Sequence, residues 1–116
     1  MLHHVAIEVT PEQASRCRDF YRLLGFAAVQ PPPTLRDRAL WLERDRTQVH
    51  LLFEQEPVTP PEGHLAVVVE DYDRALEALR DAGHSPQART EHWGSPRAFV
   101  RDPAGHRVEL MAFPPG

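Results

Sequence analysis

The stretch His4-Val5-Ala6-Ile7-Glu8-Val9 decides the fold, because it returns 60 residues later as His64-Leu65-Ala66-Val67-Val68-Val69. The two stretches share the histidine, the alanine and the last valine. In the first stretch the apolar residues alternate with His4, Ala6 and Glu8, which is typical of a strand with one packed face. We therefore predict that each copy is a strand whose opening histidine lies opposite the apolar side.

Each opening strand is followed by the pattern of a short helix. In the first copy, Thr10-Pro11-Glu12-Gln13 predicts a helix start with Thr10 as the N-cap and a glutamine three residues later. In the second copy, Asp71 is the predicted N-cap. Gly25 and Gly83 follow the two apolar periodic segments and predict where the helices end.

Three short strands are predicted after each helix. They are expected near residues 26–30, 38–43 and 48–53 in the first copy, and near 87–90, 97–101 and 107–113 in the second. The segment Pro57 to Gly63 contains three prolines and a glycine and predicts a linker. The pattern predicts an α+β fold of two tandem βαβββ modules, residues 1–56 and 64–116, in one domain over 1–116. We expect a single cleft-shaped sheet assembly with the helices on the outer face, because each module alone buries too little surface.

Composition narrows the function classes. The chain has 116 residues, a formal net charge of -4 and one cysteine, so nucleic acid is not an expected partner and no internal disulfide can form. No apolar run is long enough to cross a bilayer, and the N-terminal residues lack a signal-peptide pattern, so we expect a cytoplasmic protein with no membrane partner. A small molecule is the expected ligand. Cys17 and Tyr21 lie at helical spacing and are expected in the core.

The seven histidines provide the main chemical signal. His4 and His64 open the repeated strands, while His50 and Glu109 occupy equivalent places in the last strand of each copy. The separations are 46 residues from His4 to His50 and 45 from His64 to Glu109. If the modules pair about a pseudo-twofold axis, the four side chains converge as a mixed nitrogen and oxygen set. Such a set suits a divalent transition metal, namely Zn, Fe(II), Ni, Co or Mn, rather than Ca or Mg.

Other polar and aromatic residues leave alternatives open. His50 could contact substrate instead of binding the metal, and Glu8 lies on the same face with a substrate-facing or base role as the minor alternative. For Trp41 ordinary packing is favoured over a place in the cavity, and residues 90–95 are expected to form a surface loop rather than a lid. His3 and His106 are expected to point away from the site and are excluded as ligands.

Several segments together resemble the glyoxalase/bleomycin resistance/dioxygenase superfamily, also called the vicinal oxygen chelate family. They are HHVAIEV, DFYRLLGF at 19–26, QVHLLF, GHLAVVVED and DPAGHRVEL at 102–110. The resemblance implies paired βαβββ modules around a cleft, metal ligands at His4, His50, His64 and Glu109, and a homodimer.

The resemblance does not define one reaction. It favours a small metal-dependent enzyme of glyoxalase type, a lyase or isomerase, whose substrate chelates the metal through vicinal oxygens. Glyoxalase I usually has a glutamate where this chain has His50, which leaves Glu109 as the expected catalytic base. The alternatives are a dioxygenase or thiol transferase with a facial triad of His4, His64 and Glu109, or a metal-free protein that binds a drug or another aromatic molecule.

Overall fold

All 116 residues are described by the computed structural model, in which the chain forms two units, residues 1–59 and 60–116. The boundary lies inside the proline-rich segment 57–63, which contains neither helix nor strand. Each unit contains its own four-stranded mixed sheet and one α-helix. The predicted βαβββ order is confirmed in both units.

The first unit contains a sheet in the order β1-β4-β3-β2. Its elements are β1 (His4–Val9), α1 (Ala14–Arg22), β2 (Ala27–Val29), β3 (Ala39–Arg44) and β4 (Thr47–Phe53). Strands β1 and β4 are parallel, whereas β2, β3 and β4 are linked by antiparallel pairing. Short 3-10 turns at Pro11–Gln13 and Pro33–Leu35 precede α1 and β3.

The second unit repeats this arrangement with the sheet order β5-β8-β7-β6. Its elements are β5 (His64–Val68), α2 (Tyr72–Asp81), β6 (Gln87–Ala88), β7 (Arg97–Arg101) and β8 (Arg107–Met111). Strands β5 and β8 are parallel, and β6, β7 and β8 pair antiparallel. Strands β6 and β8 are each two residues shorter than predicted from the sequence.

The helix starts follow the predicted caps. The Thr10 side chain accepts a hydrogen bond from the backbone N–H of Gln13, and the Gln13 side chain accepts one from the N–H of Thr10, which completes a capping box. Asp71 caps α2 by accepting a hydrogen bond from the Arg74 N–H. Gly25 and Gly83 have φ of 92° and 93°, a conformation that a residue with a Cβ rarely adopts.

The apolar side of each sheet and its helix form the core. Cys17, Phe20 and Tyr21 of α1 are buried with Leu42 and Leu51 of the sheet, which confirms the core positions predicted for the cysteine and the tyrosine. In the second unit, the buried apolar residues include Leu76, Leu79, Ala98, Val100, Val108 and Leu110. The opposite face of each sheet, which bears the repeated histidines, is therefore the polar one. The structure contains no helix with the length and hydropathy needed to cross a membrane.

Candidate functional site

The strand registers place the predicted site residues on the polar sheet faces. In the first unit Ala6 pairs with His50 on the neighbouring parallel strand, so His4, two residues before Ala6, shares the face of His50. In the second unit Ala66 pairs with Glu109, which places His64 on the same face as Glu109. Each unit thus brings together one of the two predicted pairs.

In the first unit, His50 lies between two other rings. The His4 ring stacks on one side at a centroid distance of 4.0 Å, and the Trp41 ring stacks on the other at 4.1 Å with an interplanar angle of 2°. Trp41 reaches this position because it is the cross-strand partner of His50. The stack leaves His50 only 5% exposed, although it lies on the polar face.

Hydrogen bonds assign the proton on His50. The amide nitrogen of Gln48 donates to Glu43 Oε1 at 3.0 Å, so the Gln48 carbonyl oxygen faces His50 Nε2 at 2.7 Å and accepts its proton. The neutral ring therefore keeps an unprotonated Nδ1. Burial, followed by the positive charges that His4 and His3 can carry, lowers the pKa of His50 from 6.5 to about 4. His50 is neutral at pH 7, which is the form that binds a metal ion.

In the second unit, Glu109 has a different environment. Its Oε2 accepts a hydrogen bond from Arg97 Nε at 2.8 Å, and its Oε1 lies 3.0 Å from His64 Nε2. The other ring nitrogen of His64, Nδ1, lies 2.9 Å from the Glu62 carbonyl oxygen, so Nδ1 carries a proton and donates it. The Arg97 and Glu109 side chains are 12% and 9% exposed, so this ion pair is largely shielded from water.

A cavity of about 610 Å³ opens beside the ring stack in the first unit. Its walls include Trp41 and His50 of the stack, the apolar side chains of Leu35 and Leu52, and Arg38. The walls also include the charged or polar side chains of Asp37, Glu54 and Gln55, groups of the kind that orient a bound small molecule. Trp41 therefore lines the cavity as well as packing on His50, whereas the sequence favoured packing alone.

Two further expectations require correction, and Glu8 makes a contact that the sequence did not predict. His3 does not point away: its Nδ1 lies 2.9 Å from His4 Nδ1, and its ring makes an edge contact with His50. Glu8 Oε1 accepts a hydrogen bond from the Val58 N–H, so the carboxylate holds the linker. The segment 90–95 is not wholly a surface loop, because Ser95 is fully buried and its hydroxyl accepts hydrogen bonds from the backbone N–H groups of residues 112 and 113.

The two pairs contain the nitrogen and oxygen donors that suit a transition metal. The orientation of two of the three histidines also fits, because metal-binding histidines usually donate their other ring N–H to a carbonyl oxygen. His50 donates to Gln48 and His64 donates to Glu62 in this way. No group of three or more histidine, cysteine, aspartate or glutamate side chains is arranged as a metal site in the structure.

The βαβββ fold of each unit and the match of the sequence to a family model together define the class of protein. Residues 1–110 match the family model of the Glyoxalase/Bleomycin resistance protein/Dioxygenase superfamily, and the chain belongs to that superfamily. The resemblance seen in the sequence is confirmed. Among curated proteins no sequence matches the chain.

Solved structures share the fold at low sequence identity. A glyoxalase family protein from Bacillus anthracis matches with a TM-score of 0.86 and 24% identity, over 96% of this chain and 93% of that one. Lactoylglutathione lyase from Agrobacterium tumefaciens matches with a TM-score of 0.72 and 19% identity, over 96% and 92% of the two chains. TnmS3, an antibiotic binding protein from Streptomyces sp. CB03234, matches with a TM-score of 0.72 and 20% identity, over 96% and 93%. At these identities the likeness concerns the fold.

Proposed function

We propose that the protein is a small metal-dependent enzyme of glyoxalase type, a lyase or isomerase. In this proposal His4, His50, His64 and Glu109 hold one divalent transition metal, and a small substrate chelates the metal through vicinal oxygens. Membership of the superfamily and the two donor pairs support this proposal.

One contact supports the metal more than any other observation. His64 donates its Nδ1 proton to the Glu62 carbonyl, so in the neutral ring Nε2 carries a lone pair, and it lies 3.0 Å from Glu109 Oε1. Two lone pairs at this distance repel each other unless a proton or a metal cation lies between them. Bond lengths of about 2.0–2.2 Å to nitrogen and oxygen place neighbouring ligand atoms of one ion about 3 Å apart. The pair therefore has the chemistry and the spacing of two ligands.

The first pair offers two imidazole donors, although in the structure the two rings stack in nearly parallel planes and do not point at one common atom. The neutral form of His50 leaves its Nδ1 lone pair available, and no proton must be removed at pH 7 before binding. Gln48 and Glu43 hold the ring orientation through the hydrogen bonds on Nε2. His4 stacks on the His50 ring on the side opposite Trp41 and supplies the second imidazole.

In this proposal Glu109 carries out the proton transfer. Arg97 Nε occupies one lone pair of Oε2 and orients the carboxylate, while a second lone pair on that oxygen can accept a proton from a substrate carbon. A bound divalent cation supplies positive charge that stabilises the enolate character developing on the substrate oxygens. The Trp41 ring and the apolar cavity wall in the first unit exclude water from part of the bound substrate.

Metal analysis of the purified protein tests the proposal. We expect one equivalent of a transition metal in the parent protein and loss of metal in Glu109→Ala. His92→Ala is a matched control, because His92 is exposed in the 90–95 segment and belongs to neither pair. Metal retained in His50→Ala with loss in His64→Ala supports the three-ligand class, a facial-triad dioxygenase or thiol transferase. A protein that takes up no metal from solutions of Zn, Fe(II), Ni, Co or Mn contradicts the metal-dependent function.

The second candidate function is metal-free binding of an aromatic or drug-like molecule. The cavity of about 610 Å³ and the planar Trp41 face support it. Binding of a planar aromatic compound to metal-free protein is expected to quench the fluorescence of Trp41. The quenching should persist in Trp93→Phe and disappear in Trp41→Phe, and unchanged quenching in Trp41→Phe contradicts this candidate.

We also propose that the protein forms a homodimer, as the resemblance implies. Size-exclusion chromatography with light scattering tests this assembly directly. A mass close to 26 kDa, twice the 13.2 kDa of one chain, is expected at micromolar concentration, and a mass of 13.2 kDa contradicts the proposal.

A further inference from the structure

The polar sheet face of the second unit has an unexpected concentration of arginine. Residues 60–116 contain six arginines against nine acidic residues, so this half is acidic as a whole. Four of the six arginines nevertheless share one face, as shown by the strand registers and by the hydrogen bond from the Arg89 N–H to the Arg97 carbonyl. They are Arg89, Arg97, Arg101 and Arg107.

Three of these side chains surround one aromatic ring. The guanidinium carbons of Arg89, Arg97 and Arg107 lie 5.1, 5.1 and 4.9 Å from the centroid of Phe99. Cation–π contacts of this kind hold the planar guanidinium groups in place without using their N–H donors. The guanidinium N–H groups of Arg89 in particular form no hydrogen bond within the chain, so they remain available to a ligand.

The charges in this cluster are not balanced. Arg97 is paired with Glu109, and Arg107 is paired at 3.1 Å with Glu62, whose side chain is 90% exposed. Arg89 and Arg101 have no carboxylate within ion-pair distance. Arg101 and Arg107 also lie directly opposite each other on β7 and β8, and like charges in that position destabilise a sheet. The cluster therefore keeps two positive charges without a carboxylate partner, of which Arg101 donates a hydrogen bond to the Gly105 carbonyl oxygen.

We propose that this cluster is a binding site for a doubly charged oxyanion, the phosphate group of a small organic molecule. A cavity of about 120 Å³ lies there, and Arg89, Arg101, Arg107 and Phe99 are among its walls. Guanidinium groups present paired N–H donors that match the oxygens of a phosphate. The two positive charges that lack a carboxylate partner match a dianion such as phosphate better than they match a singly charged carboxylate ligand.

The position of this oxyanion site connects it with the donor pair of the same unit. The His64 ring lies 5.1 Å from the Phe99 ring, and Glu109 is the cross-strand partner of Phe99. The arginine cluster therefore borders the donor pair through Phe99 and through Arg107, the cross-strand partner of His64, although neither His64 nor Glu109 is among the walls of the cavity. The inference that the bound anionic group is part of the substrate rests on the proposed function, whereas binding of the anion itself requires no metal.

Calorimetric titration of chelator-treated protein with inorganic phosphate at constant ionic strength tests the site. The double variant Arg89→Gln/Arg101→Gln is expected to weaken phosphate binding at least about tenfold, because each charged hydrogen bond contributes strongly to affinity. Both residues are exposed, so the variant should remain folded. The matched control is Arg74→Gln/Arg80→Gln, which removes the same charge from the exposed face of α2 and should leave phosphate affinity unchanged.

Three results overturn the proposal: no phosphate binding by the parent protein, equal weakening in both double variants, or equally tight binding of acetate. Retention of the metal in Arg89→Gln/Arg101→Gln separates this test from the test of the metal site. If phosphate binds as expected and no metal is taken up, the oxyanion site stands and the proposed metal-dependent function fails. If metal binds normally and phosphate does not, only the oxyanion site fails.

Discussion

The two halves of the chain place a titratable residue at the same point of the sheet and stabilise it in opposite ways. In the first half, His50 faces Trp41 across the strands and is kept neutral by burial and by the nearby His4 and His3. In the second half, Glu109 faces Phe99, and its carboxylate is paired with Arg97. The two halves share the backbone fold of the module, whereas the electrostatics of the site differ between them.

Because of this difference, we expect the two halves to respond differently to salt, to acid and to the loss of a side chain. A neutral ring sandwich is insensitive to salt but sensitive to acid, because protonation places a charge between two rings. A shielded ion pair is sensitive to the loss of either partner, because the remaining charge is left without compensation. A substitution or a change of pH that affects the stability of one half can therefore be compared with its effect on the other half.

Replacing Glu109 is expected to have the largest effect. Glu109→Gln leaves the Arg97 guanidinium, 12% exposed, without its carboxylate, and the free energy of unfolding should fall by about 3 kcal/mol. Urea denaturation followed by circular dichroism measures the loss. Glu62→Gln is the control, because Glu62 pairs with Arg107 from a fully solvated position and its loss should have little effect. Equal stability of Glu109→Gln and Glu62→Gln would falsify the view that the Arg97 pair is structural.

Acid is expected to weaken the first half through His50. The pKa of this residue is about 4 in the folded protein and 6.5 when unperturbed, so the unfolded chain binds more protons between these values. Stability should therefore fall as the pH decreases from 6.5 towards 4, by on the order of 2 kcal/mol from this residue alone.

The control for this pH dependence is His50→Phe, which preserves a flat ring between His4 and Trp41 but cannot be protonated. Comparing urea unfolding of the two proteins at pH 7 and pH 4.5 cancels the contributions of other titrating groups. The parent protein should lose more stability than the variant on acidification. An identical loss in both proteins contradicts the assignment of the effect to His50.

Removing the helix caps should have a smaller effect that also distinguishes the halves. Thr10→Ala and Asp71→Ala are each expected to cost about 1 kcal/mol, because each leaves backbone donors at a helix start unsatisfied. Gln13→Ala should add to the loss in the first half alone, since only that helix has a reciprocal capping box. Thermal unfolding of the three variants checks this order, and a Gln13→Ala protein as stable as the parent contradicts it.

The last comparison concerns the two hairpins, and the substitution in the first of them has the smallest expected effect. Arg46 has φ of 69° in the tight turn between β3 and β4, and Arg46→Gly should raise stability by roughly 0.5 kcal/mol by relieving that conformation. In the second hairpin, Gly105 has φ of 91° with open space around it, so Gly105→Ala should lower stability by about 1 kcal/mol through backbone strain alone. If the free energy of unfolding changes in the same direction in both variants, backbone strain at these two positions is not the cause.

Most of the fold could be predicted from the sequence because local signals agree with one another. The period-2 pattern at His4 to Val9, the cap at Thr10 and the stop at Gly25 each indicate the same element boundaries that the structure shows. The face of His50 was also predictable, because strand alternation assigns a side without any knowledge of the partner strand.

The pairing within the site could not be predicted, because it depends on cross-strand register. Trp41 covers His50 only because the β3–β4 turn aligns these two positions. Arg97 reaches Glu109 diagonally, from a position whose direct partner is Met111. Ser95 likewise becomes a buried hydrogen-bond acceptor through contacts with a distant segment, and no local pattern indicates that role.

The hairpins also record how the halves diverged after duplication. Trp41 and His50 are nine positions apart and Phe99 and Glu109 ten, yet each aromatic residue lies directly opposite its polar partner. The second turn, 102–106, is three residues longer than the turn at Asp45 and Arg46, and each strand is one residue shorter between the turn and the pair, which gives the net difference of one. Insertions and deletions were therefore accepted at the tips of the hairpins, where the backbone tolerates them. The hairpin tips are the places where loops can be exchanged by engineering without moving the aromatic and polar pairs out of register.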